Sequence, residues 1–167
     1  MAWNERGVAV SCSVTKELQR QRSAALRGEE FDGFRLWFDL RDTRANHRAS
    51  RFCCHFVIGT TGGDPEGMGP KIWQVPVARA AEDAPEVELS QILLEGGVTS
   101  SGWQVAAWFP AEVLPGYDPL GLGRLGFYCH VRDRALGHNY FVVGEDFPFP
   151  ADPALWVSLE LSAVDES

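Results

Sequence analysis

The chain has 167 residues, the size of one ordinary domain, with 45% hydrophobic and 23% charged side chains. That balance excludes the disordered and membrane-embedded classes and allows a core without disulfide staples. The formal charge of −8 argues against a nucleic-acid binder, because neutralising phosphates needs a basic footprint.

Cys12, Cys53, Cys54 and Cys129 form no Cys-x-x-Cys pair, which fits reduced thiols in a reducing compartment. The first residues, MAWNERGVAV, lack the charged segment, apolar run and cleavage site of a secretory signal. No apolar run reaches membrane-spanning length, so the expected location is the cytoplasm and no membrane partner is expected.

Period-two alternation predicts the elements in chain order. VAVSCSV places Val8, Val10, Cys12 and Val14 on one face of a strand. TKELQRQRSAALRGEE has the composition of a helix, but its apolar positions Leu18, Ala25 and Leu26 are too sparse to bury one face. FRLWFDL turns Phe34, Leu36, Phe38 and Leu40 inward, and FCCHFVI does the same with Phe52, Cys54, Phe56 and Ile58. RLGFYCHV aligns Leu125, Phe127, Cys129 and Val131, and LWVSLEL aligns Leu155, Val157, Leu159 and Leu161. Each reads as a half-buried strand.

GTTGGDPEGMGP, LPGYDPLGLG and FPFPADP separate these runs and read as turns and surface loops. The expected fold is all-β, a two-sheet β-sandwich or jelly roll with few short helical turns, formed by residues 1–167 as a single domain.

The order AWNERGVAVSCSV, DGFRLWFDLRD, GWQVAAWFPAEVL, GRLGFYCHVRDRALG, DPALWVSLEL resembles the family 9 carbohydrate-binding modules. The landmarks of that pattern fall at Trp3, at Asp32 with Leu36, Trp37 and Asp39, at Phe109 with Pro110, at Gly126 with Phe127, and at Asp133. The resemblance spans nearly the whole chain and implies a β-sandwich jelly roll with a non-catalytic role in binding an oligosaccharide or polysaccharide. Family members carry one or two strands before the Trp3 strand. Their absence here would leave a sheet edge exposed for self-association or a partner protein. Aromatic sandwiches for a terminal sugar and structural calcium belong to the resemblance too, but neither maps onto particular residues of this chain.

Among the six tryptophans, Trp73 and Trp103 lie near loops with polar neighbours and are the candidates for stacking on a sugar. Core packing is the competing account of each. The stretch FDLRDTRANHRASRFCCHFV concentrates reactive residue types. If RFCCHFV is a strand, Cys53 and His55 face one side and Cys54 the other, so the triplet cannot converge on one metal ion. Strand-embedded thiols lack a positioned base, and neighbouring arginines would depress Asp39 and Asp42, so catalysis is not expected.

The charged residues remain. Arg44, His47, Arg48 and Arg51 crowd one connection, and Arg132 with Asp133 follows another strand in the same sense. If both strands end at one edge, the two groups meet and guanidinium forks can bind sugar hydroxyls. The alternative is a network in which Asp39, Asp42 and Asp133 pair with those arginines and pin the loops. GTTGGDPEGMGPK fails as a phosphate loop, because its lysine follows proline and no Ser or Thr succeeds it. DPEG and GEDFPFPADP offer oxygens for calcium without matching a defined calcium loop, so no cofactor is expected. A structural or protein-interaction sandwich without sugar binding is the second reading of the whole chain.

Overall fold

The alternating runs fold into two antiparallel sheets in a computed structural model that describes residues 1–16, 32–63 and 66–162. The strands are β1 (Ala2–Asn4), β2 (Gly7–Thr15), β3 (Gly33–Asp39), β4 (Cys53–Gly59), β5 (Lys71–Gln74), β6 (Leu93–Thr99), β7 (Gly102–Pro110), β8 (Arg124–Asp133), β9 (Gly137–Tyr140) and β10 (Val157–Glu160). One sheet has the order β1-β2-β7-β6 and the other β10-β8-β3-β4-β5, with β9 also paired to β8. A four-residue helix, α1 (Pro119–Leu122), begins with Asp118 accepting from the Gly121 N–H and ends at the left-handed Gly123. Short 3-10 turns occupy Leu89–Gln91, Ala111–Val113 and Pro153–Leu155. The β-sandwich expected from the alternation is the fold observed. The polar segment 15–30 enters this description only through Thr15, which ends β2, and Lys16; residues 17–31 lie outside the described residues.

The inward faces match the alternation. Val8 and Val10 of β2, Phe34, Leu36 and Phe38 of β3, Cys54, Phe56 and Ile58 of β4, Trp103, Val105 and Phe109 of β7, and Leu125 and Phe127 of β8 form the core between the sheets. Phe38 sits at its centre, 5.5 Å from the rings of both Phe109 and Phe127. Tilted and edge contacts of this kind add about 0.5–1.5 kcal/mol each to the area they bury.

Half-burial does not hold for the middle of the larger sheet. Every residue of β4 is buried, and so are six of the seven in β3. A second apolar layer covers the outer face at one end, built from Trp37, Cys53 and Tyr128 on the strands with Ala49, Val77, Phe149 and Trp156 from the loops. The Trp156 indole donates to the Phe149 carbonyl at 2.8 Å and fixes that cover.

Candidate functional site

Strand register decides the fate of the expected arginine site. β3 pairs with β8 so that Gly33 faces Arg132 and Asp39 faces Gly126. The 40–52 connection therefore leaves the sheet at the Gly126 end, while Arg132 and Asp133 sit at the other end of a seven-residue strand, about 20 Å away. The two charged groups do not meet, which corrects the expectation that they would.

Three of the four expected ligand residues of the 40–52 connection have local partners instead. Arg48 donates to the carbonyls of Arg79 at 3.1 Å and Ala80 at 3.0 Å. His47 pairs with Asp152 at 3.0 Å, Arg51 lies 3.7 Å from Glu82, and Arg44 is exposed. The aspartates expected to pair with these arginines are occupied otherwise. Asp39 accepts from the backbone N–H groups of Arg41 and Thr43 and from the Thr43 hydroxyl, and Asp42 accepts from Ser158 and lies 3.3 Å from Arg124. His47, Arg48 and Arg51 thus contact neighbouring loops, at the opposite end of the sheet from Arg132 and Asp133.

Trp103 and Asp133 are corrected together. Trp103 is 2% exposed, faces the core and donates from its indole to Asp133 Oδ2 at 2.9 Å. Asp133 also takes the Lys16 ammonium at 2.6 Å and the N–H groups of Ala135 and Leu136. Burial by itself pushes the Asp133 carboxyl up, but these bonds from Lys16, Ala135, Trp103 and Leu136 outweigh it and hold the group below its ordinary value. Asp133 thus joins the two sheets. Arg132, one residue earlier, points to the opposite face.

On that outer face the register brings together residues that sequence reasoning left scattered. Trp73 pairs with Val57, Val57 with Arg35, Arg35 with His130, and His130 with Tyr140, in one row across five strands. The next row holds Lys71, Gly59, Gly33, Arg132 and His138, and no side chain projects from its two glycines. Lys71 places its ammonium 5.4 Å from the centre of the Trp73 ring. The His130 ring stacks on Tyr140 at 4.5 Å and 7°, and His130 Nε2 lies 2.9 Å from His138 Nδ1. Trp73, Arg35, His130, Arg132 and Tyr140 are all half-buried, and His138 is exposed.

Burial first, then His138 and the Arg35 guanidinium, push His130 down to about 4, so this imidazole is neutral at physiological pH and can both donate and accept. In the neighbouring row of the same face, under the loop cover, the buried His55 ring stacks on Trp37 at 4.3 Å. Burial and then Arg35 push His55 down to about 3.

Beside Trp73 a groove of about 300 Å³ runs along β5, lined by Cys53, Trp73, Val75, Pro76 and Val77 on one side and Asp83, Ala84, Glu86, Val87 and Leu89 on the other. Gln74 spans it, donating to the Pro85 carbonyl and accepting from the Val87 N–H, both at 2.9 Å. Burial pushes Cys53, Cys54 and Cys129 up to about 12 and Cys12 up to about 11. Such thiols are protonated and make poor nucleophiles. Among the described residues, no group of three or more His, Cys, Asp or Glu is placed to hold a metal ion.

Of the expected site residues, Trp73 and Arg132 reach this face, whereas Arg35, His130, His138 and Tyr140 were missed. Alternation could have assigned Arg35, His130 and Arg132 to faces away from the core. Only the register makes them neighbours.

Scanned against protein-family models the chain matches none, and a search of curated proteins found no match. Two solved structures are similar to it over almost its whole length. Both are of a family 9 carbohydrate-binding module from Caldicellulosiruptor kristjanssonii. The complex with cellotriose has a TM-score of 0.62 and 12% identity over 98% of this chain and 73% of that one. The complex with glucose has a TM-score of 0.62 and 10% identity over 99% of this chain and 75% of that one. The β-sandwich described above is thus a divergent form of the family 9 carbohydrate-binding module fold.

Proposed function

We propose that the protein binds an oligosaccharide, without catalysis, across the outer face of its larger sheet. The observation that carries this reading is the five-strand row from Trp73 through Arg35 and His130 to Tyr140. It sets an aromatic ring at one end, a stacked ring pair at the other, and donors between them. A sugar presents an apolar C–H face to an aromatic ring and hydroxyls around its rim. Arg35, Arg132 and Lys71 supply donors, and the neutral His130 supplies either role. Asp83 and Glu86 along the groove accept from further hydroxyls. The likeness to modules solved with cellotriose and glucose supports these sugars as first ligands to test.

Titration calorimetry with cellotriose and glucose tests the reading. The natural chain should bind at least one of them at millimolar concentration. Trp73→Ala should weaken that binding tenfold or more, about 1.4 kcal/mol, while leaving the circular dichroism of the fold unchanged. An undiminished affinity in Trp73→Ala removes Trp73 from the site, and absence of any sugar binding by the natural chain sinks the proposal.

A protein-interaction role has its own observation. Leu136, Phe141, Val142 and Phe147 are each about half exposed or more, around β9 and the loop after it. Concentration-dependent association that Phe141→Ser abolishes would favour that reading.

A further inference from the structure

His130 and His138 lie on neighbouring strands at diagonal positions of the β8–β9 pair, where His130 faces Tyr140 and Arg132 faces His138. Their rings are near parallel, 14° apart, and His130 Nε2 is 2.9 Å from His138 Nδ1. Two imidazole nitrogens bound to one ion at about 2.0–2.1 Å stand about 2.9 Å apart when they are cis in an octahedral or square-planar shell, and about 3.4 Å apart in a tetrahedral one. The separation already present is that of a cis pair. That 2.9 Å contact is a hydrogen bond in which one of the two nitrogens carries the proton, so chelation takes the tautomers that leave both nitrogens bare and a side-chain rotation that turns their lone pairs towards a common point.

We propose that His130 and His138 chelate a late first-row divalent cation, such as Ni²⁺, Cu²⁺ or Zn²⁺, on the outer face of the larger sheet. Imidazole suits this class and excludes calcium and magnesium, which take oxygen ligands. The ion keeps the rest of its shell as water on the exposed His138 side, so the site is exchangeable and the fold does not depend on it. Tyr140 stacks on His130 and holds its ring plane, while the Tyr140 hydroxyl donates to Glu145. That carboxylate supplies an opposing charge that acts on His130, against the Arg35 and Arg132 guanidiniums, which weaken binding. The other two histidines do not compete. His55 is buried in the Trp37 stack, and His47 is alone with Asp152. Cys53 and Cys54 are buried, and Cys12 and Cys129 face the core.

Calorimetric titration of the full chain with NiCl₂ in the absence of sugar tests the site separately from the sugar reading. The expected result is saturable binding of one ion per chain at micromolar Ni²⁺. His138→Ala, an exposed substitution, should weaken it at least tenfold with the fold intact by circular dichroism, and His47→Ala should leave it unchanged. No saturable binding by the natural chain, or equal loss in His47→Ala, overturns the proposal. Undiminished binding in His138→Ala overturns it as well.

Discussion

Asp133 carries four hydrogen bonds on one carboxylate, from Lys16, Trp103, Ala135 and Leu136. They come from the smaller sheet, through Trp103 of β7 and Lys16 just after β2, and from the turn that follows β8. Removing a buried charge while its partners stay buried costs about 3–5 kcal/mol. Asp133→Ala should therefore lower the unfolding free energy in urea by an amount in that range. A loss under about 1 kcal/mol would mean that the Lys16 pair behaves as a surface contact. In sequence, Asp133 stands beside Arg132 and looks like half of a ligand-binding pair. Alternation carried one residue further separates them, because Arg132 continues the face of His130 while Asp133 turns towards the core. What alternation does not reveal is the partner, since Trp103 is thirty residues away in the other sheet.

Glycines at strand ends show how far an element depends on backbone approach. Gly102 opens β7 opposite Thr15 with φ +147, and a Cβ there would meet the Val14 carbonyl oxygen at 1.8 Å. Gly137 opens β9 with φ +84 and open space around a Cβ. Gly102→Ala should cost about 2 kcal/mol or more, because strain and a main-chain clash add. Gly137→Ala should cost only about 1 kcal/mol, the left-handed backbone term. Equal midpoints for the two variants in thermal unfolding would refute this ranking. The strands β2, β3, β4, β8 and β10 were legible because their apolar runs alternate, whereas short strands such as β5 and β9 carry no such run. Complete burial of β4 was not legible, because His55 and Cys53 read as an outward face until loops carrying Ala49, Val77, Phe149 and Trp156 are laid over them. Those loops are rich in proline and charge, and nothing local in them announces a cover.

Acid response is a property of the whole molecule, and His55 gives it a sign. Its ordinary value is 6.5 and burial holds it at about 3 in the fold. Above pH 6.5 both folded and unfolded chains are neutral at this site and nothing is lost. Between those limits the unfolded chain binds a proton that the folded chain refuses, so stability falls as pH falls, by up to about 1.4 kcal/mol per pH unit. His130 and the Asp133 carboxyl act in the same direction. Comparison with His55→Phe isolates the one group. The variant should lose stability less steeply than the natural chain between about pH 6.5 and pH 5, where carboxylates are still ionised. Identical slopes in urea titrations across that interval would show that His55 is not held neutral.

Composition and period-two alternation were sufficient for the all-β sandwich and for the inward faces of β2, β3, β4 and β8. Those conclusions rest on local geometry, since successive side chains of any strand point to opposite sides whatever the strand pairs with. The candidate site is different in kind. Trp73, Arg35, His130 and Tyr140 become one row, and Arg48 and Arg132 become distant, only through the pairing of β3 with β8 and of β4 with β5. Register is set by which core packs best across the whole sheet, an energy summed over many contacts that no short stretch of the chain contains.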